Sequence, residues 1–157
     1  MNKYLLNKKG FTLIELIVVI AIIGILSAVV IVNISSSRSK ARDAKRISDI
    51  AQIQLALEQY FEWCGVYPKN SSGAIDTSTT CAKKITDFIS VIPKDPLTKV
   101  NYIYGVDDNN EPLDYILKAE LENTGNGATT EGLTEAGTRY SVGPCAPSTI
   151  DYCVGPK

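Results

Sequence analysis

The sequence predicts an α+β protein in which one long amino-terminal helix lies on a small antiparallel sheet. Three observations carry that expectation. An apolar stretch over residues 11–32 continues, without proline, into an amphipathic repeat; two runs of strand character flank a turn; and all four cysteines fall in the polar part of the 157-residue chain. The expected organisation is a short basic segment over 1–10, an apolar helix over 11–32, its amphipathic continuation over 33–66 and a globular head over 67–157.

Between residues 11 and 32 the only charge is Glu15. A helix of that length covers about 33 Å, enough to cross a bilayer. Lys3, Lys8 and Lys9 precede it, as in an export signal. The run is longer than the core of an ordinary cleaved signal, and it ends with the large Leu26 where a signal peptidase needs a small side chain. Glu15 would cost about 2.5 to 3.5 kcal/mol at the centre of the apolar layer, so a compensating positive partner is expected unless the carboxylate reaches the interface. Cleavage after Gly10 would create one, the amino group of Phe11.

Past the apolar run, Ile47, Ile50, Ile53, Leu57, Tyr60 and Phe61 form one broad face, with Asp49, Gln52, Gln59 and Glu62 largely elsewhere. Gly65, Tyr67 and Pro68 end the helix. The basic cluster Arg38, Lys40, Arg42, Lys45 and Arg46 is read as a solvated helix face that also meets acidic lipid, with Lys45 paired to Asp49 at i,i+4. A nucleic-acid surface is the alternative, and nothing else in the sequence supports it. By the positive-inside count this cluster would hold the head in the cytoplasm, whereas the cysteines point outward.

In the head, residues 69–81 read as a surface loop, and Ile85, Phe88, Ile89 and Ile92 recur at helical spacing before Pro93 and Pro96 stop the pattern. Strands are expected over 101–106 and 113–121, the second with Tyr115, Leu117, Ala119 and Leu121 alternating against Ile116, Lys118 and Glu120. The acids of the turn between them, Asp107 to Glu111, offer oxygens to calcium, but the EF-hand pattern is missing and turn chemistry suffices. A third strand is expected over 138–142.

Histidine is absent, which removes the commonest general base and metal ligand. No catalytic, cofactor-binding or metal site is expected. Cys64, Cys81, Cys145 and Cys153 lack zinc spacing and read as two disulfides in an exported head. Three pairings are open, with chain proximity favouring Cys64 to Cys81 and Cys145 to Cys153. Each bridge would contribute about 2 to 4 kcal/mol by restricting the unfolded chain.

The run Lys8-Lys9-Gly10-Phe11-Thr12-Leu13-Ile14-Glu15-Leu16-Ile17 resembles the leader junction of type IV prepilins and of the pseudopilins of type II secretion. That resemblance implies a pilin-like fold, cleavage between Gly10 and Phe11 by prepilin peptidase, N-methylation of Phe11, and neutralisation of the new amine by Glu15 of an adjacent subunit. It also implies a bacterial inner-membrane precursor, spanning once with its head outside the cytoplasm and contacting lipid and an assembly platform. The later state is an extracellular or periplasmic filament of this chain alone or with other pilins. Loss of residues 1–10 would leave 13 basic against 17 acidic residues. The proline common near the end of the membrane segment in this family is absent. Tyr67-Pro68, the Pro93-Lys94-Asp95-Pro96 stretch, Tyr102 and Tyr104 further resemble the major pseudopilin, whereas the cysteine-closed tail is more like a pilin. A surface pilus, a secretion pseudopilus and an anchored binding domain using the same leader are therefore the three readings, the first preferred.

Overall fold

An apolar stretch that runs unbroken by proline into an amphipathic one has no local reason to stop being helical, and helix α1 spans Leu13–Cys64, 52 residues. Described by this computed structural model are residues 10–78, 81–107, 110–123, 140, 145 and 151–156, with the side chains of 29–33 excepted. By compactness the chain divides into Met1–Arg38 and Ser39–Lys157, and α1 contributes to both. Gly65 closes the helix from the left-handed conformation, φ 70°, donating its N–H to the Phe61 carbonyl at 2.8 Å.

In the second unit the sheet runs β3-β4-β5, all antiparallel, with β3 at Ile103–Val106, β4 at Tyr115–Glu120 and β5 at Asp151–Val154. Tyr104 pairs with Leu117, and Lys118 with Cys153. The helix stripe Ile50, Ile53, Leu57 and Tyr60 is fully buried with Tyr104, Tyr115 and Leu117, and this is the main core. Aromatic rings knit its far end: Phe61 stacks on Tyr67 at 4.5 Å between centroids, and Tyr67 meets Tyr115 edge-on at 4.6 Å.

The structure departs from the sequence expectations in three places. Residues 69–81 are more than a loop: β1, Asn70–Ser71, and β2, Ala74–Ile75, form a hairpin whose Ser72 and Gly73 both have positive φ, as a tight two-residue turn requires. Tyr104 donates its N–H to the Gly73 carbonyl at 2.8 Å, and Asn70 Nδ2 donates to the Tyr104 carbonyl, so this hairpin caps one side of β3. The expected packing helix is a single 3-10 turn, Ile85–Asp87. Ile85 is buried, with Phe88, Ile89 and Ile92 packed against the core. Pro93 holds Ile92 out of the helical region and leaves too few residues to propagate a helix.

The third departure concerns the tail. Strand 138–142 lies outside the described residues except for Tyr140, and the third strand of the described sheet is β5. The second face of β4 is packed as well, so β4 does not show the expected in-out alternation. Tyr115, Leu117 and Ala119 join the helix-side core, while Ile116 packs with Cys145 and Cys153, and Lys118 is buried beside Asp151 at 2.8 Å. The cysteines pair as Cys64–Cys81 and Cys145–Cys153, with Cα atoms 5.8 and 6.3 Å apart. The first bridge ties the end of α1 to the segment before the 3-10 turn, and the second ties β5 to Cys145, 8 residues before Cys153.

Leu57 sits at the centre of the stripe, fully buried, whereas Leu55 is 61% exposed. Leu57→Ala is expected to lower stability by about 2 to 5 kcal/mol through lost transfer energy and the cavity left behind. Leu55→Ala is expected to change it by less than about 0.5 kcal/mol. Denaturant titration of the detergent-solubilised chain measures both.

Candidate assembly site

The apolar part of α1 begins with a helix cap built from the junction motif itself. Thr12 Oγ1 accepts a hydrogen bond from the Glu15 N–H at 3.3 Å, and the Glu15 carboxylate accepts from the Thr12 N–H and from the Thr12 hydroxyl, each at 2.8 Å. This is a reciprocal capping box. Leu16 then donates to the Thr12 carbonyl at 3.3 Å as the helix starts. Two helix-start N–H groups are satisfied, and the carboxylate lies where the helix dipole favours negative charge. Thr12 was not anticipated as a site residue, although a Thr three positions before a Glu at the head of an apolar run is a legible signal for it.

Gly10 and Phe11 precede the cap, outside the helix and exposed. Space around Gly10 is open, with nothing near the position a Cβ would take, and Phe11 is 92% exposed. From Leu13 to Leu26 every large apolar side chain is at least half exposed, so the rod is oily on all sides. A contiguous surface of this kind marks contact with lipid or other chains. Among the described residues no helix is long and apolar enough to cross a membrane. The end of the expected span, residues 29–32, lies outside the residues whose side chains are described.

Of the basic cluster, Arg38, Lys40 and Lys45 are exposed, as a solvated face requires, whereas Arg42 is half-buried and Arg46 leaves that face. Arg46 is buried, donating from Nε to Asp95 at 2.6 Å and from Nη1 to Asp43 at 2.8 Å and Glu122 at 2.7 Å. Arg42 donates from Nε to Glu122 at 2.7 Å, and Lys45 pairs with Asp49, as the i,i+4 spacing predicts. Asp43 also accepts from the Glu122 N–H at 2.8 Å and from the Asn123 N–H and side-chain amide. Asp49 is buried too, accepting from the Tyr102 hydroxyl at 2.9 Å. Three of the five basic side chains are thus engaged by carboxylates of the same chain, which weakens the nucleic-acid alternative.

Burial opposes ionisation of Asp95, but the Arg46 guanidinium and the N–H groups of Thr98 and Leu97 outweigh it and hold the carboxyl well below its usual range. The same balance lowers Asp43, where burial is overcome by the Glu122 N–H, the Asn123 amide and Arg46. Glu122 is pulled down to about 2, chiefly by Arg42. The signal for this network was present: Asp43 and Arg46 continue the spacing of Ile50, Ile53, Leu57 and Tyr60, and so share the inward face.

No group of His, Cys, Asp or Glu among the described residues is arranged to hold a metal. Asp107 accepts the N–H groups of Leu113 and Asp114 at 3.2 and 3.0 Å, so in the turn once weighed for calcium this carboxylate serves the backbone.

Residues 5–31 match the family pattern described as the prokaryotic N-terminal methylation motif. The chain is 34% identical over 100 residues to the type II secretion system core protein G of Vibrio cholerae serotype O1, covering 60% of this chain and 68% of that protein. The protein of the same name from Aeromonas hydrophila is 34% identical over 97 residues, covering 57% and 68%. The chain belongs to the family of type IV pilins and type II secretion pseudopilins. A further member, the type IV major pilin protein PilE of Neisseria gonorrhoeae, is 34% identical over 85 residues, covering 54% of this chain and 51% of that protein. No solved structure matches. The pilin-like architecture expected from the junction is the one observed, a long amino-terminal helix carrying a small antiparallel sheet.

Removing the Arg46 side chain takes away the one cation shared by three carboxylates around a largely buried position. Arg46→Ala is expected to cost about 3 to 5 kcal/mol, against less than about 0.5 kcal/mol for the exposed Lys40→Ala, by thermal melts. The depressed carboxyls stabilise the head above their ordinary values of 3.8 and 4.5, and that contribution is lost as pH falls through the folded values. The melting temperature should therefore drop as pH is lowered from 4.5 towards 2, and Glu122→Gln should flatten the drop.

Proposed function

We propose that the chain is a structural subunit of a type IV-type filament, made as an inner-membrane precursor with its head outside the cytoplasm, cut between Gly10 and Phe11 and polymerised through its apolar rod. The supporting observation is the exposure of that rod on all sides directly behind an open Gly10-Phe11 junction. A rod of this kind cannot stay in water. Before assembly lipid covers it, and in a fibre the rods of other subunits do, whether copies of this chain or related pilins.

Prepilin peptidase acts first in this reading, and the open space around Gly10 leaves the scissile carbonyl accessible to it. The Phe11 nitrogen then becomes an amine and receives a methyl group. Glu15 answers two demands at different times. In the precursor its charge is shared with the Thr12 N–H and hydroxyl, which lowers the cost of holding it at the edge of an apolar helix. In the fibre it also neutralises the Phe11 amine of a neighbouring subunit, which an inner-membrane assembly platform brings into register. The role is structural rather than enzymatic, and it needs no cofactor.

A secretion pseudopilus and a surface pilus use the same rod chemistry. The pseudopilus is supported by similarity to core protein G over two thirds of its length, and the pilus by similarity to PilE and by the cysteine-closed tail. Deleting the chain separates them: loss of exported proteins with surface fibres intact identifies the pseudopilus, and loss of surface fibres identifies the pilus.

Purified mature subunit should begin at a methylated Phe11 by mass spectrometry, and material that still begins at Met1 would refute the processing step. Glu15→Ala should insert and be cleaved normally yet enter fibres at least tenfold less, since a lost charge-assisted pair of about 1.5 to 3 kcal/mol corresponds to roughly that factor. Normal fibre yield from this variant would sink the charge-neutralisation role.

A further inference from the structure

The head carries an apolar cleft and, at the other end of the same strand, an exposed apolar side chain that matches it in charge and character. The cleft measures about 380 Å³ and is lined by Ile75, Val91, Ile92, Tyr102 and Leu117, with Lys94 among its polar borders. Val91 is 78% exposed, and Lys94 is exposed. Lys94 is held in place through its backbone, which bridges to Asn101 at the entry to β3.

β3 then runs from Ile103 to Val106 and delivers the chain to the turn before β4. There Leu113 is 59% exposed, and Glu111, two residues before it, is exposed as well. This arm of the turn is braced. Asp107 accepts the N–H groups of Leu113 and Asp114, and the Pro112 carbonyl accepts the Tyr67 N–H at 2.8 Å, so Leu113 is presented on fixed backbone. From Asn101, opposite Lys94, to Asp107 the extended chain covers roughly 20 Å, and from Leu117 in the cleft wall to Leu113 roughly 13 Å, so the two features lie apart within a single head.

We propose that these are the two halves of a head-to-head contact between successive copies of this chain: Leu113 of one copy enters the cleft of the next, and Glu111 pairs with Lys94 at its border. The proposal rests on the filament reading and names its partner surface. Apolar surface answers apolar surface, acid answers base, and the two patches differ, so the contact is heterologous. A copy whose cleft is filled still offers its own Leu113, and the contact propagates instead of closing on a pair. Membrane-inserted rods all point the same way, which favours such a repeat over a two-fold dimer.

The test uses full-length chain assembled in cells. Val91→Cys and Leu113→Cys in the same chain should give, on oxidation of sheared fibres, a ladder of dimers, trimers and longer species, joined between positions 91 and 113 by peptide mapping. Either substitution alone should give no such ladder. Independently, Lys94→Glu and Glu111→Lys should each lower fibre yield roughly tenfold, and the two together should restore it. Fibres of normal yield without the ladder, or a double reversal no better than the single ones, would overturn the contact while leaving the filament reading intact. A wild-type chain that never forms fibres would overturn both.

Discussion

Arg46 is buried against carboxylates from three segments of the chain: its own helix through Asp43, the turn before β3 through Asp95, and the end of β4 through Glu122. A charge taken out of water at this depth is tolerable only if every partner arrives in the correct place, so the position of each segment is tied to the others. The Asp95 side chain extends the demand by accepting the N–H groups of Leu97 and Thr98 and so shaping its own turn. The apolar stripe from Ile50 to Tyr60 supplies most of the burial, but it is non-directional. The directional contacts around Arg46, and those that Glu58 accepts from Tyr67 and Tyr115, set how the sheet lies along that stripe.

The two units use the same helix against different surroundings. In the second unit α1 is half dry, with one face against the sheet and an outer face of mostly small or polar residues that also carries Leu55 and Trp63. In the first, from Leu13 to Leu26, it is apolar all round and makes its own cap through Thr12 and Glu15. Such a rod has no preferred side, which suits a surface covered first by lipid and later by other rods. A single carboxylate, Glu15, stands at its start, and the cap satisfies it in part within the same chain.

Much of the fold was legible because its signals are periodic. The spacing of Ile50, Ile53, Leu57 and Tyr60 identified the packed face of α1, and the alternation around Tyr115 identified β4. What was misread was the meaning of charge. Arg42 and Arg46 looked like surface because basic residues usually are, and Asp49 was assigned to the outer face; in the structure Arg46 and Asp49 are buried with partners from 49 to 76 residues away. Local sequence does not carry the identity of such partners. The Ser72-Gly73 turn and the Thr12 to Glu15 cap, by contrast, were local signals that went unread.

By itself, the sequence determined the long helix, its division into an oily rod and an amphipathic head segment, and the methylation motif that contains Gly10 and Phe11. Each of these depends only on neighbouring residues or on a short period. The tertiary structure alone decided which carboxylates surround Arg46, that β5 pairs with β4 while Cys145 packs on Ile116, and that Lys94 and Leu113 sit at opposite ends of β3. Those outcomes depend on contacts between segments far apart in the chain, where the energy of each pairing exists only once the others have formed.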